Sequence, residues 1–411
     1  MGDSSHIGEN TVIVKFGGIE HQMTIKKLWD SLAPQSVDAG GSEVIDLTSI
    51  PGSSMMIYGS EGFTRIERLE RIKNSGKAGL ARTWNGQAII LSEGSRLSAV
   101  DAAGESAADF GIGTLNASKT DSFLEEKYPN PGGFSQNLGI DSDVAYSIGY
   151  VSTFFFDKAR KTLGTKIQFF TGDDLDAALA ERNKAFKARV VPALEYKAVK
   201  KDVGSFCVPI SKLRKIFKLL NIDLAVVEAN SRMASECPPS ALSWDIKARF
   251  GYICGVFDAC GTAFMGSNIS VRLPTYKFMN QFYDLLRLSG IACKKNMAPS
   301  EDSPDVTVYR ILVRAEFDSP IWSGVFRKLW DLSFLVGKCR GIEADPSWQR
   351  PDAGIVQSLS SLPSRNDVVE IRSIVDGEGE SDLGILCFDD PFMYKIHTES
   401  GSHYSQGLVV K

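Results

Sequence analysis

The chain has 411 residues, with 46 Lys and Arg against 50 Asp and Glu for a formal charge of −4; 43% of its residues are hydrophobic and 23% charged. Those fractions exclude a disordered or fibrous chain, and the length predicts two or three cores. No apolar run approaches the roughly 18 residues that span a bilayer, and MGDSSHIGEN at the start has neither the basic nor the apolar segment of a secretory signal.

The first ~75 residues alternate like strands. Thr11–Phe16 runs into Gly17-Gly18, a hairpin signal, and Met23–Ile25 follows. A short helix is expected over 25–32. Met55–Tyr58, Gly62–Ile66 and residues 86–91 read as further strands, so the opening segment is expected to be a β module. Residues 127–139, KYPNPGGFSQNLG, are rich in Pro, Gly and Asn and mark a boundary.

Beyond it, helices and strands mix. Residues 212–220 place Leu213, Ile216, Phe217 and Leu220 on one face, with Ser211 as the expected N-cap. Residues 276–288 do the same with Phe278, Phe282, Leu285 and Leu286. Ile269–Leu273 and Val306–Arg314 read as strands. From Asp367 onward short strand signals return, at 368–375, 384–388 and 407–410. The order β, α+β, β is that of a β domain interrupted by an insertion. Expected limits are 1–135 with 365–411 for the β domain and 136–364 for the insert.

Charge supports the division. Residues 136–350 carry 30 Lys and Arg and 23 Asp and Glu, a net +7, and the rest of the chain is net −11. Two basic clusters, Arg182, Lys184, Lys187, Arg189 and Lys212, Arg214, Lys215, Lys218, are the expected surface for a partner or for DNA phosphates.

The seven cysteines form no C-x-x-C pair, and the four histidines (His6, His21, His397, His403) fit no zinc spacing. Reduced thiols and a cytosolic setting are expected, with no metal site. Gly111-Ile112-Gly113 lacks the third glycine of a dinucleotide loop, and no Walker A pattern occurs, so no cofactor is expected.

Residues 247–261, KARFGYICGVFDACG, resemble the LAGLIDADG motif of homing endonucleases. A strand, a helix and Lys294-Lys295 follow in the family's order. Residues 143–156, DVAYSIGYVSTFFF, are similar to the first copy of that motif. The resemblance implies two pseudo-symmetric α/β repeats forming a saddle. Their motif helices would pack through Ala145, Gly149, Gly251 and Gly255. Each helix would deliver a carboxylate to a divalent metal, which needs hard oxygen ligands. Cys260 replaces the last acid of D-A-D-G, leaving Asp258, and Phe154 or Phe155 stands where the acid of the first copy belongs. A thiol is a poor Mg²⁺ ligand and a phenyl ring is none.

The flanking segments resemble an intein of the Hint self-splicing fold. GENTVIVKFGG is similar to an intein start, 83–99 to the block carrying T-x-x-H, and 383–411 to the C-terminal blocks. Ser95 stands in the histidine place, Lys411 ends the chain with no Asn after it, and Met1 starts it nearby. The resemblance thus implies a β-rich Hint-like domain with an inserted LAGLIDADG domain, both having lost catalysis. Function is then expected to be that of a protein-binding adaptor or scaffold. Free-standing inteins and homing elements are common in large bacteriophages, so other phage proteins are the expected partners. The expected place is the cytoplasm of a bacterial host, with recruitment of proteins at a phage-built compartment as one role. DNA binding without cleavage is the alternative.

Overall fold

β-branched residues open the chain as an antiparallel hairpin. Thr11–Phe16 pairs with Ile19–Thr24, and Gly17 and Gly18, at φ of 58° and 79°, form the two-residue turn. Two successive positive φ values match the right-handed twist of the strands, which is why glycine occupies both. Helix α1 (Ile25–Leu32) follows directly. The Thr24 side chain accepts from Lys27 N–H, and Ile25, Leu28 and Trp29 are buried.

The computed structural model describes residues 5–8, 10–50, 54–59, 62–74, 77–83, 88–92, 94–100, 110–111, 123–125, 140–153, 160–163, 165–172, 176–193, 204–224, 234–264, 268–289, 291, 293–299, 307–314, 333, 365–366, 368–375, 391–405 and 408–411. The chain divides into two compact units, Met1–Pro129 with Ser361–Lys411, and Asn130–Ser360.

The first unit is organised round one long strand, Gly62–Lys73. It pairs antiparallel with Ser42–Asp46, Met56–Gly59 and Phe392–Thr398. Phe392–Thr398 also pairs with Ser5–Ile7, so the two ends of the chain are neighbours in one sheet. His403–Ser405 pairs with Leu408–Val410 and with Thr11–Phe16. Val368–Val375 pairs with Lys77–Thr83, which pairs in turn with Ala88–Leu91. Beneath the sheet lies a core of Val12, Val14, Trp29, Ile45, Ile57, Leu69 and Tyr394. The Arg71 guanidinium lies 5.2 Å from the Trp29 ring and 4.3 Å from that of Phe392, and it bonds Glu43.

Among its described residues the second unit contains two runs of helix, strand, strand, helix, strand, the second ending in one strand more. In the first, α2 (Ser142–Thr153) leads to strands Arg160–Leu163 and Lys166–Phe170, then α3 (Ala177–Ala193) and strand Ser205–Pro209. These strands form a three-stranded sheet, and α4 (Ile210–Leu219) follows it. In the second run, α5 (Ile246–Cys260) leads to Gly261–Phe264 and Asn268–Leu273, then α6 (Tyr276–Leu288), Cys293–Pro299 and Thr307–Arg314. Their four strands make the second sheet.

Helices α2 and α5 are buried nearly all round. They pack against each other through glycine. A Cβ on Gly149 would collide with the Tyr252 carbonyl oxygen, one on Gly251 with that of Ser142, and one on Gly255 with that of Tyr146. Only hydrogen at these positions lets the backbones approach so closely.

The start of α4 differs from the sequence expectation. Ser211 is not its N-cap; the helix begins two residues earlier than expected, after Pro209. The amide of Ile210 donates instead to the Thr165 carbonyl at 2.9 Å, so one amide of the first turn is satisfied by the neighbouring hairpin.

Candidate functional site

In the second unit the sequence singles out Asp258, Cys260 and Phe154. Asp245 caps α5 by accepting from the amides of Lys247 and Ala248, which sets the helix that carries Asp258 and Cys260. Asp258 is 1% exposed. Its carboxylate accepts from the Tyr146 hydroxyl of α2 at 2.8 Å and from the Ser333 hydroxyl at 2.6 Å. Burial and the Asp258 charge push the Tyr146 hydroxyl well above the usual phenol range, so it stays a donor. Cys260 is buried and donates its thiol proton to the Val256 carbonyl at 3.2 Å. Burial pushes that thiol up to about 12, so at neutral pH it is a neutral S–H and not a thiolate ligand. Phe154 lies outside the described residues. Among the described residues no group of three or more His, Cys, Asp or Glu is placed to hold a metal.

In the first unit the sequence singles out Ser95 and Lys411. Ser95 is buried. Its amide donates to the Ser92 carbonyl at 3.0 Å, and the two hydroxyls lie 2.9 Å apart. The amide of Lys411 donates to the carbonyl of Arg96, the next residue along.

The same sheet holds a cluster that sequence reasoning missed. His6 and His403, 397 residues apart in sequence, place their Nε2 atoms 2.6 Å from each other. Both rings are buried. The Asn10 amide nitrogen donates to the Ile90 carbonyl at 2.8 Å and to His6 Nδ1 at 3.2 Å. That assigns the tautomers: His6 carries its proton on Nε2 and donates it to His403 Nε2, leaving the His403 proton on Nδ1. Burial, reinforced by the mutual repulsion of the pair, holds His6 well below the ordinary histidine value. Burial, with His397 nearby, lowers His403 to about 4. Both imidazoles are neutral at pH 7. The available sequence signal was the scarcity of histidine, with one near each end of the chain.

The basic clusters divide. Arg182 is a correction to the expected surface: it is buried, and its guanidinium donates to the Gly261 carbonyl at 2.8 Å. Arg189 lies 4.3 Å from the centroid of the Tyr146 ring, and Lys187 lies 5.8 Å from that of Phe206; both are half-buried. Of the first four, Lys184 alone is exposed. α3 turns this side inward because Phe186 stacks on Tyr150 at 4.2 Å and Asn183 accepts from the Tyr150 hydroxyl. Lys212, Arg214, Lys215 and Lys218 are all exposed on α4.

No family model matches the chain, and no curated protein matches it. The solved structures that match include inteins. An intein from a hyperthermophile aligns at 13% identity with a TM-score of 0.22, over 26% of this chain and 64% of that one. The transcription factor IIB Mvu mini-intein aligns at 13% identity and a TM-score of 0.25, over 31% and 71%. The Pyrococcus horikoshii PolII mini-intein aligns at 14% and 0.15, over 29% and 76%. The chain thus spans less than two thirds of the hyperthermophile intein.

Proposed function

We propose that this chain is a non-catalytic relative of an intein carrying an inserted LAGLIDADG homing endonuclease domain, and that it works as a protein-binding adaptor or scaffold. The observation that carries the reading is the condition of Cys260. It occupies the place of a metal-binding acid, yet it is buried, neutral and bonded to its own helix. Ser95, in the place of the splicing histidine, is likewise engaged with Ser92. Side chains so engaged are poor metal ligands and poor proton donors, and in this reading the surfaces are the working parts. In this reading the chain is phage-encoded and recruits or selects phage proteins at a compartment in the host cytoplasm.

The test has two arms. The purified chain incubated with Mg²⁺ or Mn²⁺ is expected to leave supercoiled DNA intact and, in thiol, to keep its own length. A partner captured from infected cells is then purified separately, and a stoichiometric complex is expected on mixing. Nicking that vanishes in Asp258→Ala, or the absence of any reconstituted complex, overturns the proposal.

One observation favours a second reading, DNA binding without cleavage. On the solvent side of the four-stranded sheet, Arg272 pairs across strands with Arg310, which pairs with Asn296; beside them Lys294 pairs with Leu312. Like charges directly opposite each other cost stability unless an anion lies between them. An Arg272→Glu, Arg310→Glu variant that loses duplex binding while keeping its protein partner would establish this second activity.

A further inference from the structure

Helix α4 has an amphipathic composition with an unusual solvent side. Ile210, Leu213 and Phe217 are buried beneath it. The sequence ISKLRKIFKL contains no acid, and Lys212, Lys215 and Lys218 are exposed. Leu219, 76% exposed, follows Lys215 by one turn and Lys212 by two, so the three share one face. Next to the first turn lies the tip of a hairpin, held there by the bond from Ile210 N–H to the Thr165 carbonyl. That tip carries Leu163, 43% exposed, directly opposite the exposed Lys166. Two of the four large exposed hydrophobic residues among the described ones therefore sit on or beside this basic helix.

We propose that this surface binds an acidic amphipathic segment of a partner protein, its carboxylates meeting the three lysines and an apolar side chain covering Leu219. The inference rests on the adaptor reading and supplies the chemistry of its partner. Charge complementarity fixes the sign of the occupant. Leu219 separates a protein from a nucleic acid: a leucine gains by burial against another apolar side chain, whereas a phosphate backbone offers it nothing.

The experiment measures fluorescence anisotropy with the full chain and three labelled probes. These are a synthetic helix-forming peptide of Glu and Leu, a poly-Glu peptide of the same charge, and a DNA duplex of similar charge. The Glu–Leu peptide is expected to bind best. The K212E/K215E/K218E variant is expected to weaken it roughly thirtyfold, about threefold per residue, and Leu219→Ser about tenfold. All four side chains are exposed, so melting curves should match the parent; if the charge-reversed variant fails to fold, K212Q/K215Q/K218Q serves in its place. Tighter binding of the duplex, or indifference of the peptide to Leu219→Ser, overturns the proposal. A native partner that still binds the charge-reversed variant at full strength also overturns this assignment while leaving the adaptor reading intact. Failure of the parent chain to bind any purified protein partner overturns the adaptor reading itself.

Discussion

His6 and His403 hold one proton between two nitrogens, and a second proton has no place there. Both groups have folded-state pKa values below the ordinary 6.5, His403 at about 4. The unfolded chain therefore binds more protons than the folded one once the pH falls below about 6.5. Their contribution to stability is complete above that pH and drains away as the pH falls, which for His403 alone amounts to about 3 kcal/mol by pH 4. Urea midpoints for the first unit should hold level from pH 7.5 to about 6.5 and fall from there to pH 4.5. His403→Gln, whose Oε1 can accept the same bond from His6, should flatten that slope; an equal slope in both proteins would show the pair to be uninvolved. Asp258 makes a second expectation at this scale. Asp258→Ala leaves the Tyr146 and Ser333 hydroxyls without their acceptor in a buried setting, a loss of about 1–3 kcal/mol per orphaned group. Chemical denaturation should show the loss, and Asp258→Asn, which keeps an acceptor oxygen, should show less.

Between elements, the contact of α2 with α5 is decided by three missing side chains. A methyl group on Gly149, Gly251 or Gly255 would meet backbone of the opposite helix, which cannot rotate away as a side chain does. Each Gly→Ala change should destabilise the second unit by at least the ~1–3 kcal/mol typical of overpacking. Gly94→Ala, where a Cβ meets nothing within 4 Å and φ is not positive, is the control. Similar thermal midpoints for Gly255→Ala and Gly94→Ala would refute the packing argument. The same helices show what sequence reads well. The close helix pair was expected from the resemblance of the two motifs, whereas α1 and α6 have the spans their own periodicity predicts, Ile25–Leu32 and Tyr276–Leu288. α3 was not legible, because its charged residues look like a solvent face until Phe186 and Asn183 are seen turning Arg182 inward. The cap of α4 was missed for a related reason. A hydrogen bond from a hairpin 45 residues earlier replaced the local one that Ser211 offered. The strands at Ser5–Ile7, Lys77–Thr83 and Arg160–Leu163 were also missed; at the first, the histidine of the buried pair interrupts the apolar pattern. At the candidate site, Ser95 and Cys260 were singled out only through a resemblance of short motifs, and the meeting of His6 with His403 depends on long-range pairing that no local pattern encodes.

For the whole molecule, the decisive feature is that the first unit is made from both ends of the chain. Phe392–Thr398 lies between Gly62–Lys73 and Ser5–Ile7, bonded to each. It brings Tyr394 and Ile396 into the core with Trp29 and Leu69. The His403–Ser405 strand then bonds Thr11–Phe16, and the Ser405 hydroxyl donates to the Thr11 carbonyl at 3.1 Å. Deleting residues 391–411 removes all of these together: a central strand, two core side chains and one member of the histidine pair. An inner strand so lost exposes two unpaired edges, and burying Tyr394 and Ile396 is worth several kcal/mol by area, much of the 5–15 kcal/mol that a domain has in hand. The first unit should therefore fail to fold. The second unit keeps its own paired helices and both of its sheets, so limited proteolysis of the truncated chain should degrade residues 1–129 and leave a fragment within 130–360. A first unit that resists protease as well as in the full chain would show that the C-terminal strands decorate the sheet without closing it.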